Sequence, residues 1–475
     1  MSDPSEQVIL DTARYLRHIR PIDPAEVTTY VPSVDEDRIA EILRKHASRL
    51  TLIETPDGRF MPPPTGTLSP RRTTISNMPS DVVEAIESVL RSTYGEQWWQ
   101  GDTGDRLRGA IRSFKAAYFA QESVTYTRDE AFGYLVYHFP ATFASVSYVL
   151  GLLSQSPVLP KSLRVLDIGS GVGGQALALD RFLPDEVFVD YHGIEASETA
   201  ADIGTTLMEH VGSNFHYSID TTTVEGATLD EKFDLIICAN VLNELATPIT
   251  TLQRLLKQLS SDGTCMIISP ADEHASRQLR SIETFIERDE PTVRVFAPTL
   301  RLWEEYYPTD DCWSFITHDD FAVPTFQSRL DAAAHTGGEF CNNDVQYSFS
   351  LLRKDDKRHI AYMPTRQDVQ PLHESKQSIG NRLNTCVVKL SGALDTDSGN
   401  SAVYVIGDGS QSTEHFATVV QESHHNRYVQ EAQYGDILLI RNGLFLWNED
   451  NEAINVVIDN QTSVDWIHQH GYEIA

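Results

Sequence analysis

A glycine-rich turn is the first stretch of this chain whose residues could do ligand chemistry. It lies in LRVLDIGSGVGGQALALDRF, residues 163–182. Gly169, Gly171 and Gly174 have the G-x-G-x-x-G spacing that lets a backbone approach a dinucleotide pyrophosphate. Asp167 precedes the first glycine by two residues, and its carboxylate would repel a pyrophosphate but attract a cationic amino group. The D-x-G-x-G-x-G pattern therefore favours S-adenosylmethionine over a dinucleotide.

Polar residues at the ends of the following apolar runs extend this candidate site. Glu195 ends the run in HGIEAS, where an acid can accept bonds from both ribose hydroxyls, although NAD sites share this acid. Asp220, the last residue of FHYSID, is expected near the adenine, and Asn240 in FDLIICANVLNEL near the methyl donor, with a structural role as the alternative for each. The predicted cofactor-binding residues are Asp167, Gly169, Ser170, Gly171, Gly173, Glu195, Asp220 and Asn240.

The sequence leaves the methyl acceptor and the catalytic residues unknown. No N-P-P-Y follows the fourth strand, as in adenine-N6 enzymes, and no P-C nucleophile is present, as in cytosine-C5 enzymes. Methyl transfer is an in-line displacement that depends mainly on alignment, so a dedicated base is optional.

Alternating strand and helix patterns predict the fold that positions this site. Between 163 and about 353, apolar strand runs alternate with helical segments, which predicts a parallel sheet with helices on both faces. The fold class is therefore α/β, with a Rossmann-like core of the class I S-adenosylmethionine methyltransferase type. The predicted domains are a winged-helix-like domain at 1–62, a linker at 63–78, a helical extension at 79–160, the methyltransferase domain at 161–356 and an OB-like β-barrel at 366–475.

The two terminal domains carry candidate contacts with RNA. Three helical patterns and a hairpin around PDG have the order of a winged helix, with Arg38, Arg44 and Arg49 as RNA-contact candidates on the third helix. Since that helix also carries four acids, a packing or protein-contact role is the alternative. Five short strand patterns beyond 360 predict the barrel. Its aromatic residues could stack on bases or form core: Tyr404, His415, Phe416, Tyr428, Phe445 and Trp447.

Composition restricts the cellular setting and the partners. The chain has 475 residues, 68 acidic against 38 basic, and a formal net charge of −30 with only nine lysines, a profile that resembles proteins of salt-loving microbes. High salt weakens binding driven by counterion release, so this charge does not exclude an RNA partner. No run of 18 apolar residues and no signal-peptide pattern occurs, so we expect a cytoplasmic protein without a membrane partner.

Several longer motifs resemble a known family. AFGYLVYHFPATFASVSYVL, ANVLNEL, CWSF and VQYSFSLLRKD, together with the glycine turn, are similar to the methyltransferase-like small-ribosomal-subunit assembly family best known from mitochondria. The similarity covers roughly residues 110–356. It implies bound S-adenosylmethionine and association with the small ribosomal subunit or its rRNA, with no DNA partner. Whether methyl transfer occurs is left open by it.

The resemblance also implies an iron–sulfur cluster, which this sequence disfavours. Members often hold the cluster with four cysteines, and Cys312 has a position like one of them. Cys341 could supply a second ligand, and His318 is a weaker candidate for a ligand. The cysteine that the resemblance leads us to expect upstream is missing from FAPTLRLWEEYYP. Two thiolates are too few for a cluster, so we expect no metal, with Cys312 as a weak candidate.

These features predict a methyltransferase-like protein that acts on or with the small ribosomal subunit during assembly. The alternatives are a non-catalytic assembly factor that binds S-adenosylmethionine and a small-molecule methyltransferase.

Overall fold

The structure is a computed structural model that describes residues 4–70, 75–120, 127–306, 312–334, 337–342, 344–394 and 402–468. The chain forms two compact units. The first comprises Met1–Ile237, Gln258–Gly263 and Ala322–Asn342, and the second Cys238–Lys257, Thr264–Phe321 and Asn343–Ala475. The domain boundaries drawn from the sequence stay predictions.

The N-terminal segment of the first unit has the predicted order of three helices and a hairpin. The Asp23 carboxylate accepts from the Ala25 N–H with Pro24 in the first turn, and Asp35 likewise caps the third helix. No other feature identifies a winged helix, which stays a prediction. The elements are α1 (Pro4–Leu16), α2 (Pro24–Val27), α3 (Glu36–Lys45), α4 (Ala47–Leu50), β1 (Ile53–Glu54) and β2 (Phe60–Met61).

A block of helices precedes the glycine turn. The last of these helices is buried along its whole length, as expected from its almost wholly apolar sequence. Among the described residues, no single helix is long and apolar enough to cross a membrane. The last two helices of this block reach that length and apolarity only as a pair, and the pair is bent by 51°. The helices are α5 (Ser80–Tyr94), α6 (Gly101–Ala120), α7 (Arg128–Tyr137) and α8 (Phe139–Leu153).

The sheet has the strand order β5-β4-β3-β6-β7-β10-β8, with β9 paired to β10. The pairs β3–β4 and β4–β5 are parallel, as predicted. Contrary to the all-parallel expectation, β10 is antiparallel to both β7 and β8. The elements are β3 (Ser162–Ile168), α9 (Gly174–Phe182), β4 (Phe188–Glu195), α10 (Glu198–Met208), β5 (Phe215–Thr221), β6 (Phe233–Ala239), α11 (Pro248–Gln258), β7 (Leu259–Pro270), α12 (Glu273–Asp289), β8 (Arg294–Ala297), β9 (Ile316–His318), α13 (Thr325–Ala334) and β10 (Val345–Arg353).

The C-terminal part of the second unit is a closed five-stranded barrel, as predicted. Its order is β11-β12-β13-β15-β14, closed by pairing of β11 with β14, and β13 and β15 are parallel. A further strand, β16, which the sequence analysis missed, pairs with β14. The elements are β11 (Arg382–Lys389), β12 (Ala402–Gly407), β13 (His415–Val419), α14 (Tyr428–Glu431), β14 (Ile437–Asn448), β15 (Ala453–Ile458) and β16 (Ser463–His468).

Most of the barrel aromatics proposed to stack on bases belong to the core instead. Tyr404, His415, Phe416 and Phe445 are buried, whereas Trp447 is 39% exposed. Alternation along each strand turns one face inward, which explains why residues at strand spacing are mainly core.

A buried lysine joins the barrel strand β11 to the helix α14. The Lys389 ammonium donates to the carbonyls of Val429 (2.8 Å), Gln430 (3.2 Å) and Ala432 (2.7 Å). These carbonyls end the helix, where a cation is favourable. Burial lowers the pKa of Lys389 to about 8, so its charge is retained at pH 7.

We expect Lys389→Met to destabilise the second unit by about 2 to 4 kcal/mol, because buried carbonyls lose their donor. Thermal and urea unfolding would measure the loss. Lys376→Met, at an exposed lysine of the same unit, is the control and should change stability by less than about 0.5 kcal/mol. Equal effects of the two substitutions would contradict this role.

Candidate functional site

The glycine turn has a conformation that side chains would oppose. Gly169, Gly171 and Gly173 have φ angles of +69°, +53° and +86°, in the left-handed region. A Cβ atom on Gly204 of α10 would lie 3.0 Å from the Gly171 carbonyl oxygen, so the two backbones are in close contact. The turn leads directly into α9, which begins at Gly174.

Asp167 is a fully buried carboxyl directly before this turn. The Tyr191 hydroxyl donates to its Oδ2 at 2.5 Å, and Oδ1 is buried with no partner in the part of the chain that the structure describes. Burial raises the pKa of Asp167 to about 8; the hydrogen bond from Tyr191 opposes this rise and the charge of Glu195 adds to it. A cationic group at Oδ1 would satisfy the orphaned oxygen and stabilise the ionised form.

Glu195 holds the turn from its other side. Its Oε2 accepts from the Gly171 N–H at 2.8 Å, and its Oε1 accepts from the Ser197 N–H at 2.7 Å. Each carboxylate oxygen can accept more than one hydrogen bond, so contact with ribose hydroxyls stays compatible with this arrangement. Glu195 therefore shapes the turn itself, a role that the sequence analysis did not predict.

This geometry disfavours a dinucleotide. A pyrophosphate needs free N–H groups at the turn, but the Gly171 N–H is used by a carboxylate, and a second carboxyl lies at Asp167. Ser170 is fully buried, and none of the described residues is a hydrogen-bond partner of its Oγ. The site fits S-adenosylmethionine, whose methionine amino group would meet Asp167 and whose ribose would meet Glu195.

Asp220 and Asn240, the last two of the predicted cofactor-binding residues, make other contacts. Asp220 lies in β5, and its carboxylate is exposed and 3.0 Å from the His192 Nε2. Asn240 belongs to the second unit, has a φ of +56°, and donates its backbone N–H to the Ile268 carbonyl. Their cofactor contacts stay predictions.

Two functional side chains were missed by the sequence analysis. Tyr191 lies on the same face of β4 as Gly193 and Glu195, and Gln175 donates from Nε2 to the Gly169 carbonyl at 3.1 Å. The strand alternation Tyr-x-Gly-x-Glu could have indicated Tyr191, since alternate residues face one side. Nothing in the local sequence indicates Gln175.

The remaining candidates from the sequence lie outside this site. Arg38 pairs with Glu41 at 2.6 Å, and Arg44 makes two hydrogen bonds of 2.6 and 2.7 Å to Glu54. Arg49 is exposed, and RNA contact by the three arginines stays a prediction. Cys312 is buried, and among the described residues no group of three or more His, Cys, Asp or Glu side chains could hold a metal ion.

Comparisons with known families identify the class of the core. A family profile described as a methyltransferase domain matches residues 143–303, which include the glycine turn, Asp167 and Glu195. The N- and C-terminal domains of a family of unknown function, DUF8157, match residues 6–56 and 373–467.

Two curated relatives are methyltransferases by name. The ubiquinone biosynthesis O-methyltransferase of Roseobacter denitrificans is 26% identical over 200 residues, covering 42% of this chain and 72% of the relative. The uncharacterized methyltransferase YcgJ of Bacillus subtilis is 20% identical over 230 residues, covering 47% and 85%. The chain is an S-adenosylmethionine-dependent methyltransferase.

Solved structures of methyltransferases are similar to the α/β core of this methyltransferase. The plantazolicin methyltransferase BpumL, solved with a desmethylplantazolicin analog and SAH, is 15% identical over 57% of this chain and 98% of that one, with a TM-score of 0.31. The YcgJ structure of B. subtilis is 22% identical, covers 26% of this chain and 50% of that one, and has a TM-score of 0.22. The resemblance to the small-subunit assembly family stays a prediction.

We expect Asp167→Asn to abolish most S-adenosylmethionine binding and yet to stabilise the first unit at pH 8. Below pH 3.8, the ordinary value, the carboxyl is protonated in both states. Between pH 3.8 and about pH 8 the Asp167 carboxyl ionises in the unfolded protein but stays protonated in the folded one, so wild-type stability falls as pH rises. The amide of Asp167→Asn does not titrate, so this loss is absent in the variant.

Thermal unfolding of both proteins at pH 5 and pH 8 measures this difference, and calorimetry measures binding. Asp202→Asn, at an exposed aspartate of α10, is the control. A stability difference that does not change with pH would show that Asp167 is not a buried titrating group.

We expect Glu195→Ala to weaken S-adenosylmethionine binding by roughly 1 to 3 kcal/mol, because the turn and the ribose lose a charged acceptor. Calorimetry measures the change, with Glu198→Ala, at an exposed glutamate three residues away, as the control. Unchanged affinity of Glu195→Ala would remove this residue from the site.

Proposed function

We propose that this methyltransferase transfers the methyl group of S-adenosylmethionine to a hydroxyl group of a small organic acceptor. The observation that carries the proposal is a cluster of aromatic rings around His138, beside the glycine turn and within the same unit. The O-methyltransferase relative named for ubiquinone biosynthesis supports the same substrate class.

The aromatic cluster surrounds the His138 imidazole. Its ring centroid lies 4.8 Å from that of Phe114, 5.2 Å from Tyr134 and 4.9 Å from Tyr137. The Lys115 ammonium lies 3.9 Å from the centroid of the Tyr137 ring. Aromatic rings beside a few polar groups are typical of sites for small organic molecules.

A short chain of contacts links this cluster to the cofactor turn. The Tyr134 and Thr142 hydroxyls are 3.3 Å apart. A side chain on Gly174, where α9 begins, would lie 3.5 Å from the Thr142 methyl group and from the Phe139 ring. The beginning of α8 therefore packs directly on the glycine turn, next to His138.

His138 is suited to receive the proton of the acceptor hydroxyl. Its Nε2 is buried and has no hydrogen-bond partner among the described residues. Burial, and then the charge of Lys115, lower the pKa of His138 to about 4, so the imidazole is neutral at pH 7 but is a weak base. S-adenosylmethionine supplies the methyl group on a cationic sulfonium, and His138 would orient the attacking hydroxyl and receive its proton as the new O–C bond makes that hydroxyl strongly acidic.

Action on the small ribosomal subunit or its rRNA is the second candidate. The closed five-stranded barrel favours it, since such barrels often bind oligonucleotides. The pairing of Arg38 and Arg44 with glutamates and the burial of most barrel aromatics reduce its support.

Transfer of tritium-labelled methyl groups distinguishes the two candidates. The full-length protein is incubated with labelled S-adenosylmethionine and, separately, with caffeic acid, a low-molecular-weight extract of host cells, or purified small ribosomal subunits. We expect label in the small-molecule reactions. Label confined to RNA or ribosomal protein would overturn the small-molecule proposal.

We expect His138→Ala to lower kcat about 100-fold, typical for the loss of a general base, with S-adenosylmethionine affinity unchanged. Kinetics with the accepting fraction and calorimetry with the cofactor give the two values. His210→Ala, at an exposed histidine of the same unit, is the control. Equal kcat values for His138→Ala and the control would exclude His138 from proton transfer.

A further inference from the structure

A cleft in the second unit contains arginine side chains that the methyl-transfer proposal does not use. Its outer part has a volume of about 420 Å³ and its inner part about 60 Å³, and the two share Arg301 and Arg358. Arg294 also lines the outer part, and Arg280 and Thr299 line the inner part. We propose that this cleft binds a small organic phosphate.

The barrel fixes the chain segment that carries Arg301. The Leu302 N–H donates to the Asp408 carbonyl at 2.8 Å, and the Trp303 indole N–H donates to the Asp408 carboxylate at 2.9 Å. A Cβ atom on Gly409 would lie 2.5 Å from the Arg301 Cα, so the barrel loop lies directly against this segment. Arg301 is thus held in place before any ligand arrives, which lowers the entropic cost of binding.

Two arginines of the outer part, Arg358 and Arg294, have carboxylate partners that solvent reaches, whereas the partner of Arg301 is Glu287, 3.5 Å away and 10% exposed. Arg358 lies 3.5 Å from Glu304, whose side chain is 60% exposed, and Arg294 lies 3.2 Å from Asp356, whose side chain is 83% exposed. Exposed ion pairs contribute little to stability, so a ligand can displace them at small cost. A phosphate offers more charge and matches the planar guanidinium with two hydrogen bonds.

Two buried groups of the inner part have no hydrogen-bond partner among the described residues, although the Glu283 and Glu287 carboxylates also line it. Thr299 is 7% exposed and its Oγ1 has no partner, and the Arg280 Nε–H, at 3% exposure, has none either. The rest of the Arg280 guanidinium is occupied, since Nη1 binds Glu283 and Nη2 donates to the Phe349 carbonyl at 2.7 Å. Buried donors of this kind are normally satisfied, and an oxygen of the ligand would satisfy them here.

Size and shape favour a small molecule over a polymer. The outer volume is within the range of small-molecule sites. In a chain of net charge −30, long-range attraction to a polyanion is absent, so recognition must come from the local guanidinium groups.

Calorimetry of the full-length protein with inorganic pyrophosphate tests the proposal at constant ionic strength. We expect saturable binding that weakens about tenfold or more in Arg358→Gln and in Thr299→Val. Thr299→Val removes only the buried hydroxyl, so it should fold at least as stably as the wild type. Arg441→Gln, at an exposed arginine of the barrel, is the control and should bind like the wild type.

Three results would overturn the proposal: no saturable binding of pyrophosphate, equal binding by Thr299→Val and the control, or binding of succinate or poly(U) in place of pyrophosphate. S-adenosylmethionine binding is measured in the same preparations. It should be unchanged in all three variants, because the cleft includes no residue of the glycine turn, so its loss would report on the cofactor site alone.

Discussion

The buried carboxyl of Asp167 is the constraint on which the cofactor site depends. Burying an ionised carboxylate away from water costs free energy. The Tyr191 hydroxyl donates a hydrogen bond to the Asp167 carboxyl. Its raised pKa, about 8, means that the proton is retained near neutrality. A bound cation would reverse this balance, so cofactor binding and loss of that proton are coupled.

The other residues of the glycine turn accommodate the buried carboxyl of Asp167. The backbone must turn sharply at the end of β3, which requires the three left-handed glycines, and Glu195 satisfies the Gly171 N–H that the turn exposes. The parallel register of β3 and β4, with Asp167 opposite Gly193, places Tyr191 and Glu195 on either side. A side chain at Gly193 would lie 2.9 Å from the Ser170 Oγ, so this strand position also needs glycine.

Sequence patterns predicted those parts of the structure that depend on local periodicity. The glycine turn, Glu195 at a strand end and the five barrel strands are all marked by residues close together in the chain. The hydrogen bond from Tyr191 to Asp167 depends on the register between strands, and the antiparallel direction of β10 depends on how the chain returns. The partner of Arg44, ten residues away in β1, depends on how the hairpin packs, so exposed basic residues on α3 could not be recognised as paired.

A few buried cations of this acidic chain hold the structure together. Arg353 is 1% exposed and binds Asp355 and Thr264, and Lys389 ends α14. In a chain of net charge −30, a cation that lies at short distance from buried partners has a structural role. Arg358 and Arg294 differ, since their partners are exposed carboxylates at longer distances. Side chains that are held in place but weakly paired lose little when a ligand replaces the partner, and this distinguishes a binding surface from a structural ion pair.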